Sequence, residues 1–327
     1  MKTIIIKFGG SSLADPGKIR RAAGMVMAAR RRGLKPVAVV SAPADSTDDL
    51  LKLADLTAGP SASAREQDAL MAAGEQLSAA LLAMAIAAEG GRSVSLTGAQ
   101  AGILTDDNFA AASVRRVDAR RLKKELAAGR IPVVAGFQGV SPRGDITTLG
   151  RGGSDLTAVV IARALGSASC EFRTDVKGIY TAHPAIVPEA RKIKTITYDE
   201  VIRLAELGTE VRQLRAVKYA KKHGLTLHLR SSFHDEPGTL VTRAGGRRGV
   251  ACLSMRKEAG PALVSAIGRG LNRRHLAAAE KAAEACGLAH TVESFSSGHI
   301  TLRTAPGKAE TLLKALHAAF FAKSSLT

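Results

Sequence analysis

Short runs of β-branched and other apolar residues alternate with longer segments rich in alanine and leucine along much of the chain. These runs cover residues 4–6, 37–40, 93–96, 131–135 and 170–173. Each run has the length of a strand, and a helical or loop segment follows it. Regular alternation of this kind predicts an α/β fold, in which helices cover both faces of a parallel sheet.

The pattern changes after residue 241. The next residues, TRAGGRR, are rich in glycine and arginine and poor in apolar side chains, so we interpret residues 243–249 as a linker. The rest of the chain predicts four strands and two helices, over residues 250–255, 262–267, 274–286, 290–295, 299–303 and 308–321, of which the third and the last are helical. We therefore expect a larger domain over residues 1–242 and a smaller α+β domain over residues 250–327.

Composition and charge narrow the possible partners. The 327 residues include 47 Lys and Arg against 29 Asp and Glu, which gives a formal net charge of +18. Such a charge is typical of proteins that bind nucleic acids, membrane surfaces or acidic substrates. Here the basic residues are scattered, and the chain has no Trp and only three Tyr on which bases could stack. We interpret the basic residues as solvated faces and expect no nucleic-acid partner.

The cysteines and the N-terminus bear on the compartment. Cys170, Cys252 and Cys286 lie far apart without the spacing of metal ligands, so we expect reduced thiols and a cytoplasmic protein. Met1 and Lys2 lead directly into the first apolar run, and the longest apolar runs are interrupted. We therefore expect no signal peptide, no membrane-spanning segment and no membrane partner.

The segment TTLGRGGSDL is the first candidate for chemistry. An extended run ends at its first leucine, the glycines around Arg151 cannot continue that run, and Ser154 or Asp155 can cap a helix over residues 156–165. A helix N-terminus after glycines presents unpaired backbone N–H groups, and a guanidinium matches a carboxylate or phosphate. The segment predicts an anion-binding turn. A glycine-rich turn without any ligand is the alternative.

A lysine stands at the end of the first apolar run, in the segment KFGGSS. Lys7, beside two glycines and two hydroxyls, is suited to phosphoryl transfer, because catalysis of that reaction is mostly positioning and charge neutralisation. The segment matches neither G-x-x-x-x-G-K-[ST] nor G-x-G-x-x-G, so it indicates neither a P-loop nor a dinucleotide-binding fold. An ordinary solvated lysine is the alternative.

Seven ordered blocks resemble the aspartate kinases of the amino acid kinase family, in register over about residues 1–242. The opening KFGGSS is similar to the family's KFGGTS. The other blocks are VVSA, AGEQLSAALL, LTGAQAGILTDD, GFQG with TTLGRGGSD, TDVKGIYTAHP, and RSSF with PGTLV. The resemblance implies the amino acid kinase fold, a parallel-rich central sheet between helices. It also implies that the tail of about 80 residues is a single, degenerate ACT-like domain, where the family usually has two.

The resemblance implies roles for the residues whose motifs are intact. Lys7 would neutralise the transferring phosphoryl group, and Asp155 would hold the basic groups of the site. The residues expected to bind the acceptor are Ser41, Thr47, Glu75, Arg151 and Ser154. The residues expected to bind the nucleotide are Gly9, Gly10, Ser11, Thr174, Asp175, Gly178 and Tyr180.

Within the acceptor set, Arg151 would hold the α-carboxylate of aspartate and Glu75 its ammonium group. Each acidic residue also has a simpler interpretation. Glu75 follows Gly74 in an alanine- and leucine-rich segment and could be a solvated carboxylate at a helix end. Asp155 could act only as a helix cap.

The resemblance implies an enzyme that uses ATP and Mg²⁺ to phosphorylate the side-chain carboxylate of L-aspartate, giving 4-phospho-L-aspartate for amino-acid biosynthesis. No covalent intermediate is required, and Mg²⁺ bridging the phosphates offsets charge. We also expect a homodimer, as the resemblance implies and because a lone ACT-like sheet would expose an apolar surface.

Several positions depart from the family's pattern on the phosphate side. Glu210 stands where a lysine is usual, and His183-Pro184-Ala185 replaces Asp-Pro-Arg. Lys177, Lys192, Arg212 and Arg215 are candidates to replace the lost cations. The departures at Glu210 and Ala185 leave open a non-catalytic paralogue that binds or regulates. A kinase for a related small amino acid or acid is the second alternative, because the loop Pro43-Ala44-Asp45-Ser46 is not glycine-rich as in the family.

Overall fold

The computed structural model describes residues 2–44, 46–208, 214–246, 248–257 and 260–322. The chain begins with β1 (Thr3–Phe8), α1 (Pro16–Arg31), β2 (Lys35–Val40), α2 (Ser46–Ala58), α3 (Ala64–Ala88), β3 (Ser93–Leu96), β4 (Ile103–Thr105), β5 (Val114–Val117), α4 (Arg120–Ala127), β6 (Ile131–Ala135), β7 (Gln138–Val140), β8 (Ile146–Thr148), α5 (Gly153–Ala164) and β9 (Ser169–Thr174). It continues with β10 (Thr195–Thr197), α6 (Tyr198–Glu206), α7 (Leu214–His223), β11 (Thr226–Ser231), β12 (Thr239–Thr242), β13 (Gly249–Lys257), β14 (Ala262–Arg269), α8 (Arg273–Ala285), β15 (His290–Ser296), β16 (His299–Thr304) and α9 (Ala309–Phe321).

Contacts divide the chain into two compact units. The first consists of Met1–Lys177 and Arg215–Pro237, and the second of Gly178–Leu214 and Gly238–Thr327. The predicted domains, residues 1–242 and 250–327 with a linker at 243–249, are each one continuous segment, whereas each unit combines two segments. The domain boundaries stay predictions.

A parallel sheet forms the centre of the first unit. Its strands lie in the order β11-β9-β1-β2-β6-β3, and every neighbouring pair is parallel. Ile6 and Phe8 of β1 are buried in the core that α1 and α3 share with β2 and β6. The predicted α/β fold is therefore confirmed. β1 has β2 on one side and β9 on the other, so the order in which strands are added to the sheet reverses at β1. Ligands bind parallel sheets at such switch points.

A second, smaller sheet of the first unit has the order β5-β4-β7-β8. The pairs β4–β5 and β7–β8 are antiparallel, whereas β4 and β7 are parallel. The apolar pattern did not reveal β4, β5 or β7, because three- and four-residue strands are too short to show a clear period. The segment of β8 was predicted to be extended before the glycine turn. β8 leads directly into the turn before α5.

The second unit contains the parallel pair β10–β12 and a four-stranded antiparallel sheet, in the order β13-β14-β16-β15. Buried residues of α8 and α9, including Ala283 and Leu312, pack in one core with Val264 and Ile300 of the sheet. The strands and helices predicted from the tail of the sequence are confirmed. The structure has a smaller C-terminal sheet domain, and its ACT-like character stays a prediction.

The helix α3 is long and apolar enough, by length and composition, to cross a membrane, which the sequence analysis did not anticipate. Such a signal is weak evidence, because a core helix passes the same test. Its residues Ala79, Leu82 and Ile86 belong to the core beside the sheet. Among the cysteines, Cys170 and Cys252 are buried and Cys286 is exposed, and all three are free thiols, as predicted.

The start of α5 corrects one prediction. The helix begins at Gly153, and its N-cap is Gly152, which makes no side-chain capping bond. Ser154 and Asp155 were the predicted caps, but they lie inside the first turn and are buried. Gly152 can end the preceding turn because its φ of 73° suits a residue without a Cβ. The side chains of Ser154 and Asp155 are thereby free for other partners.

Candidate active site

The candidate site lies where β1 and β2 end in the first unit. Lys7 is in register with Val39 of β2 and Phe172 of β9, so it stands at the switch point of the sheet. Side chains alternate along a strand, and Lys7 therefore points away from the face on which Ile6 and Phe8 meet α1 and α3. It points to the face of the sheet that α5 covers.

Lys7 forms a buried ion pair with Asp155 in the first turn of α5. The Nζ atom lies 2.7 Å from Oδ1 of Asp155, and the two side chains are 7% and 6% exposed. Neither a solvated lysine nor a capping aspartate describes this pair, so both simpler interpretations are wrong. An ammonium has three donors, and the ion pair holds the lysine in one orientation while other donors remain for an anionic ligand.

Glu75 is the second buried acid of the site. It lies in the middle of α3 with 4% of its surface exposed, so the interpretation as a solvated carboxylate is wrong. Burial raises the pKa of Glu75 to about 7, against the opposing effects of the Ala42 backbone N–H, the Lys7 charge and the Ser154 hydroxyl. That hydroxyl donates a long hydrogen bond of 3.5 Å to Oε1 of Glu75. A cationic group bound at Glu75 would favour its ionised form.

Three buried polar atoms on or beside α3 in this region lack hydrogen-bond partners among the described residues. They are Oε2 of Glu75 itself, Oγ of Ser78 and Oγ of Ser46. A Cβ at Gly74 would lie 2.8 Å from that of Ala42 and 3.7 Å from Oγ of Ser46, so the loop after β2 closely approaches α3. Buried polar atoms without partners are uncommon in folded proteins, so these atoms identify this part of the structure as a candidate ligand site.

The structure puts the other predicted acceptor residues on three different segments. Ser41 follows β2, and its backbone N–H donates to the carbonyl of Phe8. Thr47 lies in the first turn of α2 and is half-buried. Thr47 was predicted from the sequence and Ser46 was not, because nothing in the sequence distinguishes which of the two hydroxyls faces α3.

Arg151 stands exposed in the turn between β8 and α5, with a positive-φ glycine on each side. Gly150 and Gly152 have φ values of 72° and 73°, which β-branched or bulky residues rarely adopt. The turn is closed by a hydrogen bond of 2.9 Å from Gly153 N to Gly150 O. The guanidinium is therefore on a tight turn and accessible from solvent, as an anion-binding role requires.

The predicted phosphate-binding residues follow β1 directly. Gly10 begins a 3-10 helix, and a Cβ there would come within 2.7 Å of the carbonyl oxygen of Ala42. Gly9 donates its N–H to the carbonyl of Arg173, and a Cβ at Gly9 would lie 3.9 Å from Nζ of Lys7. Glycines here keep the backbone bare beside the lysine ammonium. Ser11 is half-buried in the same 3-10 helix.

Thr174 and Asp175 lie where β9 ends, in the first unit. The carbonyl of Thr174 accepts from Ser232 N at 2.7 Å, and the hydroxyl of Ser232 lies 2.6 Å from that of Ser12. The strand ends of β1, β9 and β11 are therefore joined by direct hydrogen bonds. Asp175 is exposed.

Gly178 and Tyr180 belong to the second unit. Gly178 has a φ of 135°, and a Cβ there would lie 2.7 Å from Oγ1 of Thr239. Tyr180 is half-buried and forms an antiparallel bridge with Lys192. Their predicted roles in nucleotide binding stay predictions.

A sequence profile of the amino acid kinase family matches residues 2–231 of the chain. The chain belongs to the amino acid kinase family. Two curated relatives show how the match extends. The aspartokinase of Mycobacterium tuberculosis is 48% identical over 242 residues, which are 74% of this chain and 57% of that protein. The aspartokinase of Thermus thermophilus is 44% identical over 241 residues, 74% of this chain and 59% of that protein. This amino acid kinase thus spans less than three-fifths of the length of either relative.

Solved structures agree with the family. E. coli aspartokinase III in complex with aspartate and ADP has a TM-score of 0.84 at 20% identity, over 98% of this chain and 100% of that chain. That likeness shows the fold. The aspartate kinase from Synechocystis is 34% identical with a TM-score of 0.68, over 97% of this chain and 55% of that chain.

The departures from the family pattern are partly visible in this amino acid kinase. Glu210 and Arg212 lie outside the described residues. Lys177 pairs with Glu236 at 3.0 Å, and Arg215 donates to the carbonyl of Leu149. Two of the four candidates to replace the missing charges, Lys177 and Arg215, therefore have partners within the first unit.

The described residues contain no group of three His, Cys, Asp or Glu side chains that could hold a metal ion. Mg²⁺ in kinases is bound mainly by substrate phosphates and water, with few protein ligands. A nucleotide-bound Mg²⁺ is compatible with this arrangement. The Cβ position of Gly9 lies 3.9 Å from Nζ of Lys7, so a glycine there leaves the lysine ammonium accessible to a phosphate group of ATP.

Proposed function

We propose that this amino acid kinase transfers the γ-phosphoryl group of ATP to the side-chain carboxylate of L-aspartate, giving 4-phospho-L-aspartate and ADP. The observation that carries the proposal is the buried Lys7–Asp155 pair beside Glu75 at the switch point of the sheet. Relatives named aspartokinase, 44–48% identical over about three-quarters of the chain, support the choice of aspartate.

The site offers complementary groups for both charges of an α-amino acid. Glu75 is a buried acid, and no basic side chain among the described residues forms a salt bridge with it. The ammonium group of an amino acid would pair with it. Arg151, on its exposed turn, would hold the α-carboxylate through a bidentate contact. Ser41, Thr47 and Ser154 would donate the remaining hydrogen bonds. The aspartate side-chain carboxylate would then lie toward Lys7.

The reaction requires no proton transfer at the attacking atom, because a carboxylate is ionised at neutral pH. A carboxylate oxygen forms the new bond to the γ-phosphorus, and the bond from that phosphorus to the bridging oxygen of ADP breaks. Lys7 would stabilise the charge on the transferring group, and Asp155 would keep the lysine in place. Bound Mg²⁺ would supply further neutralisation of the nucleotide phosphates.

The nucleotide would lie against Gly9, Gly10 and Ser11, with Thr174 and Asp175 at the neighbouring strand end. The absence of a side chain at Gly9 leaves the ammonium group of Lys7 accessible to phosphate oxygens, whose charge it would stabilise. Gly178 and Tyr180 are the other two residues that we propose for nucleotide binding.

The decisive experiment traps the product. Purified protein is incubated with Mg-ATP, L-aspartate and hydroxylamine, and the hydroxamate is measured together with ADP. Hydroxamate that depends on both substrates would support carboxyl phosphorylation. Aspartate binding without hydroxamate would indicate a non-catalytic paralogue. Hydroxamate formed only with another small acid would mean that this acid, and not aspartate, is the acceptor.

We further propose that the protein is a cytoplasmic homodimer. Val292 and Phe295 of the edge strand β15 are 40% and 39% exposed, which leaves apolar surface on the C-terminal sheet. Light scattering after size-exclusion chromatography measures the mass. A mass of one chain at micromolar concentration would contradict the dimer.

A further inference from the structure

Asp68, in the second turn of α3, is fully buried and lies outside the residues that the family motifs select. No basic side chain among the described residues forms a salt bridge with it. A carboxylate in such a place is stable only if several hydrogen-bond donors face it. The donors around Asp68 therefore show what this residue organises.

Three donors from two separate segments meet the carboxylate. Oδ2 accepts from the backbone N–H of Thr148 at 2.7 Å, and Oδ1 accepts from its hydroxyl at 2.7 Å. The backbone N–H of Ala110 donates to both oxygens at 3.0 Å. Asp68 thus joins the end of β8 to the loop between β4 and β5.

This loop adopts a backbone conformation that needs support. Ala110 has a φ of 66°, which is unfavourable for a residue with a Cβ. The hydrogen bonds from its N–H to Asp68 hold it there. Its carbonyl oxygen lies 3.1 Å from the position that a Cβ on Gly150 would take, so the loop supports the back of the glycine turn.

Thr148 is the residue from which the Arg151 turn starts. Its carbonyl accepts from Ala112 N at 2.9 Å, and Leu149 N donates to the carbonyl of Phe137 at 2.8 Å. The turn that follows carries Arg151, three residues after Thr148. Its starting point is consequently fixed to α3 through the carboxylate of Asp68.

Asp68 and Glu75 stand on the same face of α3, because residues seven apart are separated by two helical turns. One rigid helix therefore carries the proposed ammonium-binding residue and the anchor of the proposed carboxylate-binding turn. Rigid elements define distances within a site better than loops do. The separation between the two charges of an α-amino acid is a fixed quantity that such an arrangement can match.

We propose that Asp68 is a positioning residue that sets the Arg151 turn at a defined distance from Glu75 and so selects acceptors that carry both an ammonium and an α-carboxylate group. The inference rests on the proposed function, since it assigns Arg151 and Glu75 to the acceptor. Asp68 itself does not contact the substrate.

The test uses Asp68→Asn in the full chain. An amide keeps the shape but presents an NH₂ group to one of the donors, so the turn must shift. We expect the KM for aspartate to rise at least tenfold and the KM for ATP to change less than twofold. Thr148→Val, which removes one donor, should raise the aspartate KM two- to fivefold, and Thr148→Ser should restore it.

Asp106→Asn is the matched control. Asp106 belongs to the loop between β4 and β5, which also contains Ala110. Its carboxylate accepts a hydrogen bond from Ser113 N at 3.0 Å, but it does not contact the Arg151 turn. Its substitution should leave both KM values unchanged. Equal rises in both KM values, or unchanged KM values with a lower melting temperature, would show that Asp68 has only a structural role.

Calorimetric binding of aspartate separates this inference from the proposed function. If the wild type makes no hydroxamate but Asp68→Asn weakens aspartate binding tenfold, the activity is wrong and the positioning role stands. If hydroxamate forms and the variant binds aspartate normally, the positioning role is wrong. A wild type that does not bind aspartate overturns both.

Discussion

Glu75→Gln is expected to stabilise the folded protein at alkaline pH while it weakens aspartate binding. Burial raises the pKa of Glu75 from its ordinary value of 4.5 to about 7. At about 1.4 kcal/mol per pKa unit, this shift of 2.5 corresponds to about 3 kcal/mol for ionising the buried carboxyl. Glutamine has a similar shape and carries no charge, so it avoids that penalty.

The sign follows from which state holds the proton. Between pH 4.5 and about 7, the folded protein keeps Glu75 protonated, whereas the unfolded chain has lost that proton. The stability contributed by the shift is therefore fully present below pH 4.5 and is lost as the pH rises through 7. From pH 5 to pH 8, the variant should gain about 2–3 kcal/mol of unfolding free energy relative to the wild type.

Urea unfolding of both proteins at pH 5 and pH 8 measures this difference, and subtraction cancels the titration of all other groups. Glu66→Gln is the control, because Glu66 lies on the same helix with its side chain 67% exposed. The control should show no change with pH. A difference between wild type and Glu75→Gln that is equal at both pH values, within about 0.5 kcal/mol, would refute the burial argument.

The same substitution tests the acceptor role. An ammonium group pairs with the ionised carboxylate, so the aspartate KM of the wild type should rise about tenfold per pH unit below pH 7. Loss of the charge-assisted contact in Glu75→Gln should raise that KM by about 10–100-fold. The KM of the variant should also lose its dependence on pH in this range. A variant with the wild-type KM and pH profile would remove Glu75 from the ammonium site.

The remaining predictions concern the charged groups of the site. Lys7→Ala should lower kcat about 100-fold or more, because the charge that stabilises the transferring group is lost. It should also destabilise the fold by about 3–5 kcal/mol, because it leaves Asp155 buried without its cation. Adding Asp155→Asn should restore the melting temperature but not turnover. Arg151→Ala should raise the aspartate KM about 10–100-fold without changing the melting temperature, because the side chain is exposed, and an unchanged KM would exclude it from the carboxylate contact. Glu210→Lys should increase turnover in the hydroxamate assay if the missing cation limits the enzyme, whereas no gain would mean that another basic residue already serves that role.

The sequence by itself determined the class of fold. Apolar runs of strand length separated by helical segments indicate a parallel sheet, because buried strands need apolar side chains on both faces. Five of the six strands described for the central sheet, all except β11, and the elements of the C-terminal tail were predicted correctly for this reason. The motif order also identified the family, and the prediction that Lys7 and Asp155 act together is consistent with their ion pair.

Only the tertiary structure decided the electrostatic state of the site. The local sequence could not distinguish whether Asp155 caps the helix or pairs with Lys7, because an aspartate at the start of a helix is compatible with both roles. It likewise could not show that Glu75 is buried, since a carboxylate on an alanine-rich helix is usually solvated. The partners of Lys7 and Glu75 come from segments more than 70 residues away.

Asp68 shows the same limit most clearly. In the sequence it is one acid on a helix, and its partners at positions 110 and 148 lie 42 and 80 residues away. The glycine turn around Arg151 was evident from composition, because glycine adopts positive φ angles more readily than other residues. What supports that turn is set by packing between distant segments, and a pattern of neighbouring residues carries no information about it.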